Sequence, residues 1–279
     1  MHPSLTPPRQ VGIDDAASFV GITPHAISDY HKTGLLPEPA RGSDDRRRYG
    51  HEDMIRLLWI HKMVDAGIAP DDIHDAFADA APAGSSSGHD DAVVQCMRTP
   101  EGKMGLLSDF VTDRLKGLPE GLLRQADVDN LLVMERIFGP LGAAVNAGRY
   151  IALATHPGLR EESDRVDAAE EALDDTVAVD DPRVAQVAAK RHALELVLDA
   201  VVEDSGLAQS DEALFDSWGA LHPVTAAEGE DGAGQDAGRG EKRVSLIEAI
   251  GMMPYDYSPA RLRCMELVQE LAAHESTAS

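Results

Sequence analysis

Apolar residues along the chain recur at steps of three and four, the spacing of helices with one buried face, and alternating β-branched runs are scarce. This pattern predicts a mainly α protein. The clearest elements carry their own start and stop signals. Asp181 before Pro182 opens a helix in which Val184, Val187, Leu194, Leu198 and Val201 lie on or near one face, and Gly206 stops it. Ser258 before Pro259 repeats the device ahead of Leu262, Met265, Val268 and Ala272. Further helices are predicted over 103–116, 120–138, 161–175, 211–220 and 243–251, punctuated by Pro119 and the Gly139–Pro140 pair.

Two stretches lack this periodicity. Residues 82–91 (Pro-Ala-Gly-Ser-Ser-Ser-Gly-His-Asp-Asp) have almost nothing to bury and are expected to be a linker. Residues 226–240 alternate Glu, Gly, Asp, Ala and Gln and are expected to form a disordered loop. The resulting division is a domain over 1–81, a linker over 82–91 and an all-α domain over 92–279.

The first domain holds the most specific signal. Ile13, Ala16, Ala17 and Val20 are spaced for a short helix that ends at Gly21. Thr23 caps a second helix with Pro24 at its first position, and Gly34 stops it. Two short helices about a glycine-containing turn make a helix-turn-helix. The second helix would present Thr23, His25, Ser28, Asp29, His31 and Lys32 outward, all able to hydrogen-bond base edges or phosphates. After the reversal at Leu35 to Pro39, the segment Arg41 to Tyr49 places a polar tip between basic residues. It fits a two-stranded wing carrying Arg41, Arg46, Arg47 and Arg48. A third helix from Glu52 to Ala66 offers Met54, Leu57, Leu58, Ile60, Met63 and Val64 to the core. A fourth opens at Pro70 and holds Ile73 and Phe77.

Charge sharpens this picture. The chain carries a formal −24, which taken as an average argues against a nucleic-acid partner. Residues 1–64 nevertheless balance eight basic against eight acidic side chains, so the whole excess falls on the remainder. A neutral head with clustered arginines and an acidic body imply different jobs.

Three blocks carry a likeness: Ile22 to Leu36, Arg47 to Asp53, and Ala66 to Ile73. In order and spacing they resemble the MerR family of winged helix-turn-helix transcription regulators. The resemblance implies that the second helix enters the major groove, that a wing arginine and a tyrosine hold phosphates, and that two subunits grip a pseudo-palindrome. By position, Tyr30 is the implied phosphate-facing tyrosine and Arg47 the wing arginine, supported by Arg48 and Tyr49. Ser28 and Asp29 stand where the family usually has arginine and tyrosine, and His31 replaces a usual glutamate.

The remaining chemistry is sparse. Cys96 and Cys264 are far apart with no neighbouring ligand spacing, so neither a metal nor a disulfide framework is expected, and each is expected to be a buried small apolar residue. No cofactor motif is present. The paired carboxylates Glu161–Glu162, Glu170–Glu171, Asp174–Asp175 and Asp180–Asp181 lie in a polar stretch where solvation explains them better than acid–base work, and a non-enzyme is expected. Phe215, Trp218, Tyr255 and Tyr257 are either helix-packing anchors or the lining of a ligand cavity. No stretch is apolar enough to cross a bilayer, and the N-terminal residues show no leader, so a cytoplasmic protein without membrane contact is expected.

The expected function is a sequence-specific, DNA-binding transcription regulator that acts at promoters as a homodimer by distorting operator DNA. The alternative is an architectural, excisionase-like DNA-binding protein whose acidic body recruits a protein partner. RNA polymerase, another regulator and a small-molecule effector stand as further partners of the body. A third arrangement has the acidic body folding over the arginine wing and masking it.

Overall fold

Helix α1 (Ile13–Val20) starts after Gly12 and carries Asp14 and Asp15 in its first turn, where the helix dipole favours anions. It stops at Gly21, whose φ of 90° lies in the left-handed region and lets its N–H reach the Ala17 carbonyl. Helix α2 (Pro24–Lys32) follows at once, with the Thr23 hydroxyl accepting the Ala26 N–H at 3.1 Å. The computed structural model describes residues 8–78, 91–221, 249, 251–255 and 257–278.

Helix α3 (His51–Asp65) buries Met54, Leu57, Leu58, Trp59, Ile60 and Met63. Val64, expected in that core, is 39% exposed: it shares the side of Leu57 and Ile60 but lies in the last turn, beside the exposed Asp65 and Ala66. Helix α4 (Pro70–Phe77) closes the head with Ile73 fully buried, and the Arg56 guanidinium lies 4.5 Å from the Phe77 ring centre.

The wing forms as a hairpin rather than as two regular strands. Antiparallel bridges join Val11 to Tyr49 and Arg41 to Arg47. Gly42 N–H donates to the Arg46 carbonyl at 2.9 Å, and Arg48 N–H donates to the Ala40 carbonyl at 2.8 Å. Asp45 turns the tip with φ 57°, a conformation that Asp tolerates better than most residues.

Beyond residue 90, the helix expected over 103–116 is divided. After α5 (Asp91–Met97), α6 (Pro100–Met104) and α7 (Asp109–Leu115) replace it, because Thr99 caps a new start and Gly105 ends it. Asp91, placed at the end of the linker by composition, begins α5. Gly102 is required where it stands: a Cβ there would lie 1.9 Å from the Cys96 carbonyl oxygen. The span Gln125–Thr155, α8, is two helical stretches that meet at a kink at Gly139 (φ 75°, ψ 177°), the position where the sequence ends a helix at 138, and Pro140 also removes a donor there.

Two compact units result, Met1–Ala147 with Ser217–Asp256 and Gly148–Asp216 with Tyr257–Ser279. In the first, α8 grips the head. Trp59 Nε1 donates to Asp129 at 2.7 Å, and Lys62 pairs with Glu135 at 2.5 Å. Glu135 also accepts the Ser108 N–H at 2.8 Å, and Arg136 donates to the Phe19 carbonyl. Compaction thus groups residues up to 147 with the head, whereas composition divides the chain at 82–91.

The second unit contains α9 (Pro157–Glu171), α10 (Pro182–Asp204) and α12 (Pro259–Ala278), with most of α11 (Leu207–Leu221). Asp181 caps α10 by accepting the Arg183 N–H at 2.8 Å. The face with Val184, Val187 and Ala188 packs with Ala260 and Cys264 of α12. Leu194 and Leu198 pack with Ala152, Leu153 and Val166. The carboxylates of α9 are not all solvated, because Glu170 and Asp167 both accept from Arg191. The loop at 226–240 and residues 82–90 lie outside the described residues. Of the helix expected at 243–251, Ala249 and Gly251 are described, and both are helical.

Candidate nucleic-acid interface

Ile27 anchors α2 in the core, with no exposure, and leaves the opposite side of the helix open. His25 and Lys32 stand out from it, 80% and 67% exposed. Asp29 lies between them, 3.3 Å from His25 and 2.8 Å from Lys32, and the Lys32 hydrogen bond is the main reason its carboxyl titrates below the usual range. Thr23 is occupied as the cap. The Ser28 hydroxyl donates to the Pro24 carbonyl at 2.9 Å, so it reads anything outside the protein only through its lone pairs or after release.

Tyr30 is half-buried, and burial, with Asp65 nearby, raises its hydroxyl pKa. His31 does not face outward as the helical spacing predicts. Its Nδ1 lies 3.0 Å from the Leu36 carbonyl and its Nε2 lies 3.0 Å from the Tyr49 hydroxyl. Tyr49 has no exposure, and burial pushes its pKa up to about 12. These two side chains fasten α2 to the base of the wing instead of presenting hydrogen-bonding groups to a ligand.

Each wing arginine has an acidic neighbour. Arg47 makes a two-point contact with Glu38 at 2.9 and 2.6 Å, the geometry in which a guanidinium matches a carboxylate best. That contact holds the Glu38 carboxyl below its usual range and raises the Arg47 pKa. Arg48 bonds Asp44 at 2.8 Å, Arg41 bonds Asp45 at 3.2 Å, and Arg46 is 4.0 Å from Asp44. Asp44 titrates low, first because it accepts the Arg46 N–H and then because of Arg48. These pairs are exposed and individually weak, so a phosphate can compete for the guanidinium. Sequence reasoning missed Glu38 and Asp44 as members of this set. Their only signal was one acidic residue ahead of the hairpin and another at its tip, and that became pairing only once the register was known.

The aromatic quartet is divided. Trp218 and Tyr255 belong to the first unit, where Trp218 meets Phe110 edge-on at 5.3 Å and Tyr255 stacks on His51 at 6.0 Å. Phe215 and Tyr257 belong to the second, where Phe215 is 55% exposed and Tyr257 lies under Arg261 at 4.4 Å. A groove of about 710 Å³ in the second unit instead lies between the start of α9 and the middle of α10, lined by Leu159, Leu194, Val197 and Val201. Cys264 is buried, with its thiol pushed up to about 11, whereas Cys96 is exposed rather than buried as expected. Among the described residues, no group of three or more His, Cys, Asp or Glu side chains is placed to hold a metal ion. Among them, too, no helix is long and apolar enough to cross a membrane.

Two short helices about a glycine turn, a hairpin of arginines and two closing helices define a winged helix-turn-helix domain. Residues 12–80 match the MerR HTH family of regulatory proteins, and this segment is a MerR-type helix-turn-helix domain. An uncharacterized HTH-type transcriptional regulator of Bacillus subtilis, YyaN, is 31% identical over 67 residues, 24% of this chain and 49% of that protein. A probable heavy metal-dependent transcriptional regulator of Haemophilus influenzae is 34% identical over 59 residues, 21% of this chain and 46% of that protein. The chain thus spans about half the length of the curated relatives it matches. No solved structure shows significant similarity to it.

Proposed function

We propose that this chain is a sequence-specific, DNA-binding transcription regulator of the cytoplasm, not an enzyme, that acts at promoters as a homodimer and distorts the operator. The observation that carries the proposal is the placement of α2 beside the arginine hairpin. His25, Ser28 and Lys32 lie on the open side of a capped helix narrow enough for the major groove. Arg41, Arg46, Arg47 and Arg48 lie on the neighbouring hairpin, where cations suit the backbone or the minor groove. The names of both relatives support the same reading. Residues 1–81 are the proposed DNA-binding domain and residues 92–279 the acidic body, which is open to an effector or to polymerase.

Selection of duplexes from a random library, followed by footprinting, tests the proposal. A pseudo-palindromic site is expected, with half-sites about 34–36 Å or a multiple apart. His25→Ala and Ser28→Ala are expected to change which bases are selected. Failure of the full chain to retain any duplex at low ionic strength would falsify the proposal.

A further inference from the structure

We infer that α10 is a self-association surface, on which a second copy of this chain docks antiparallel. This rests on the homodimer in the proposed function and names the surface that builds it. Helix α10 buries one face, while the opposite face is apolar and uncovered among the described residues. Ala185, Ala189, Ala193, Leu196, Val197 and Ala200 are all exposed, Leu196 by 45% and Val197 by 51%. Steps of four, four, three and four place the run from 185 to 200 on one stripe about 22 Å long. Solvated helix faces are normally polar, and an apolar stripe of this length marks a contact. Its alanines let two helix axes approach closely, and the groove beside Val197 leaves room for side chains of a facing helix.

Charge selects the occupant and its direction. From Pro182 to His192 the helix carries Arg183, Lys190, Arg191 and His192 and no acid. From Ala193 to Asp204 it carries Glu195, Asp199, Glu203 and Asp204 and no base. Arg191 is engaged by Glu170 and Asp167, and Glu195 by Arg149, so Arg183, Lys190, Asp199, Glu203 and Asp204 remain at the surface. A parallel copy would set like charges side by side. An antiparallel copy sets the basic end of each helix on the acidic end of the other and opposes the helix dipoles favourably. With Ala193 near the two-fold axis, Arg183 faces Glu203 and Asp204 of the second copy, exchanging its contact with Asp181.

Sedimentation velocity on the full chain tests this surface. The parent is expected to sediment as a dimer, and Val197→Glu to raise the dissociation constant at least tenfold with unchanged circular dichroism. Arg183→Glu is expected to weaken assembly, and Glu203→Arg with Asp204→Arg in the same chain to restore it. In a Cys96→Ser background, Ala193→Cys is expected to cross-link to its own copy on mild oxidation. A monomeric parent, or a Val197→Glu chain that assembles as the parent does, overturns the inference; this includes the cases in which another segment of the chain or a different protein covers the stripe. Duplex binding in the same samples separates the two readings. A dimer sensitive to Val197→Glu that retains no duplex leaves this surface standing and removes the proposed function. A duplex-binding parent whose mass ignores Val197→Glu does the reverse.

Discussion

The Tyr49 hydroxyl, wholly inside the head, lies 3.0 Å from His31 Nε2, and in the neutral imidazole this contact fixes the tautomer. The Leu36 carbonyl can only accept, so Nδ1 carries the proton and Nε2 takes one from the tyrosine. Burial is the main cause that holds His31 below its ordinary value of 6.5.

A neutral, half-buried imidazole gives the head an acid limb. The unfolded chain takes up a proton near pH 6.5 that the folded chain refuses, so stability is complete above that value and falls as the pH drops below it. Urea unfolding followed by the fluorescence of Trp59 and Trp218 should show this decline, and His31→Gln should flatten it. Tyr49→Phe should cost about 1 kcal/mol, because it leaves a part-buried ring nitrogen without its donor. Equal pH dependence in parent and His31→Gln would reject the assignment.

Arg47 is expected to be a general anchor. Arg47→Ala should weaken binding on every duplex and lower the salt slope by about 0.9, the share of one phosphate contact. Glu38→Gln should act in the opposite sense and tighten binding, because it removes the carboxylate that competes for the same guanidinium. Salt titrations of both variants on one duplex decide the matter; unchanged affinity in both would remove the hairpin from the interface.

The attachment of α8 to the head rests on few polar contacts. Asp129→Ala leaves the Trp59 N–H without its 2.7 Å acceptor and should destabilise the first unit by about 1–3 kcal/mol. Glu135→Ala removes the partner of both Lys62 and the Ser108 N–H and should cost at least as much. Unfolding midpoints within error of the parent would show that α8 is held by apolar packing alone.

Gly102→Ala should be among the most damaging small substitutions in the chain. The added methyl would meet backbone at Cys96, which cannot rotate away, so α5 and α6 must separate. Loss of soluble protein or a fall of several degrees in Tm is expected, whereas Gly117→Ala, with open space around it, should be silent.

Much of the fold was legible in the sequence because its signals are local. Thr23–Pro24 and Asp181–Pro182 name helix starts by chemistry that acts within three residues, and both helices begin there. The close approach of α5 and α6 was less readable, since Gly102 is explained by the Cys96 carbonyl and not by its neighbours in the sequence. For the interface, periodicity placed the second helix and the arginines but misjudged His31. Helical spacing gives an angle around the axis, while the direction of His31 is set by Tyr49, 18 positions away. The same limit hid Glu38, whose partner is nine residues on and is reached only through the hairpin register.

The internal pairing of the wing bears on how the protein would travel along a duplex. When a guanidinium releases a phosphate, Glu38, Asp44 or Asp45 is already beside it to receive the charge, so leaving one site does not expose a bare cation. Departure and arrival then differ little in energy at each step. On the proposed reading, a hairpin built this way would favour rapid sampling of many positions over long residence at any one, and would leave the choice of where to stop to α2.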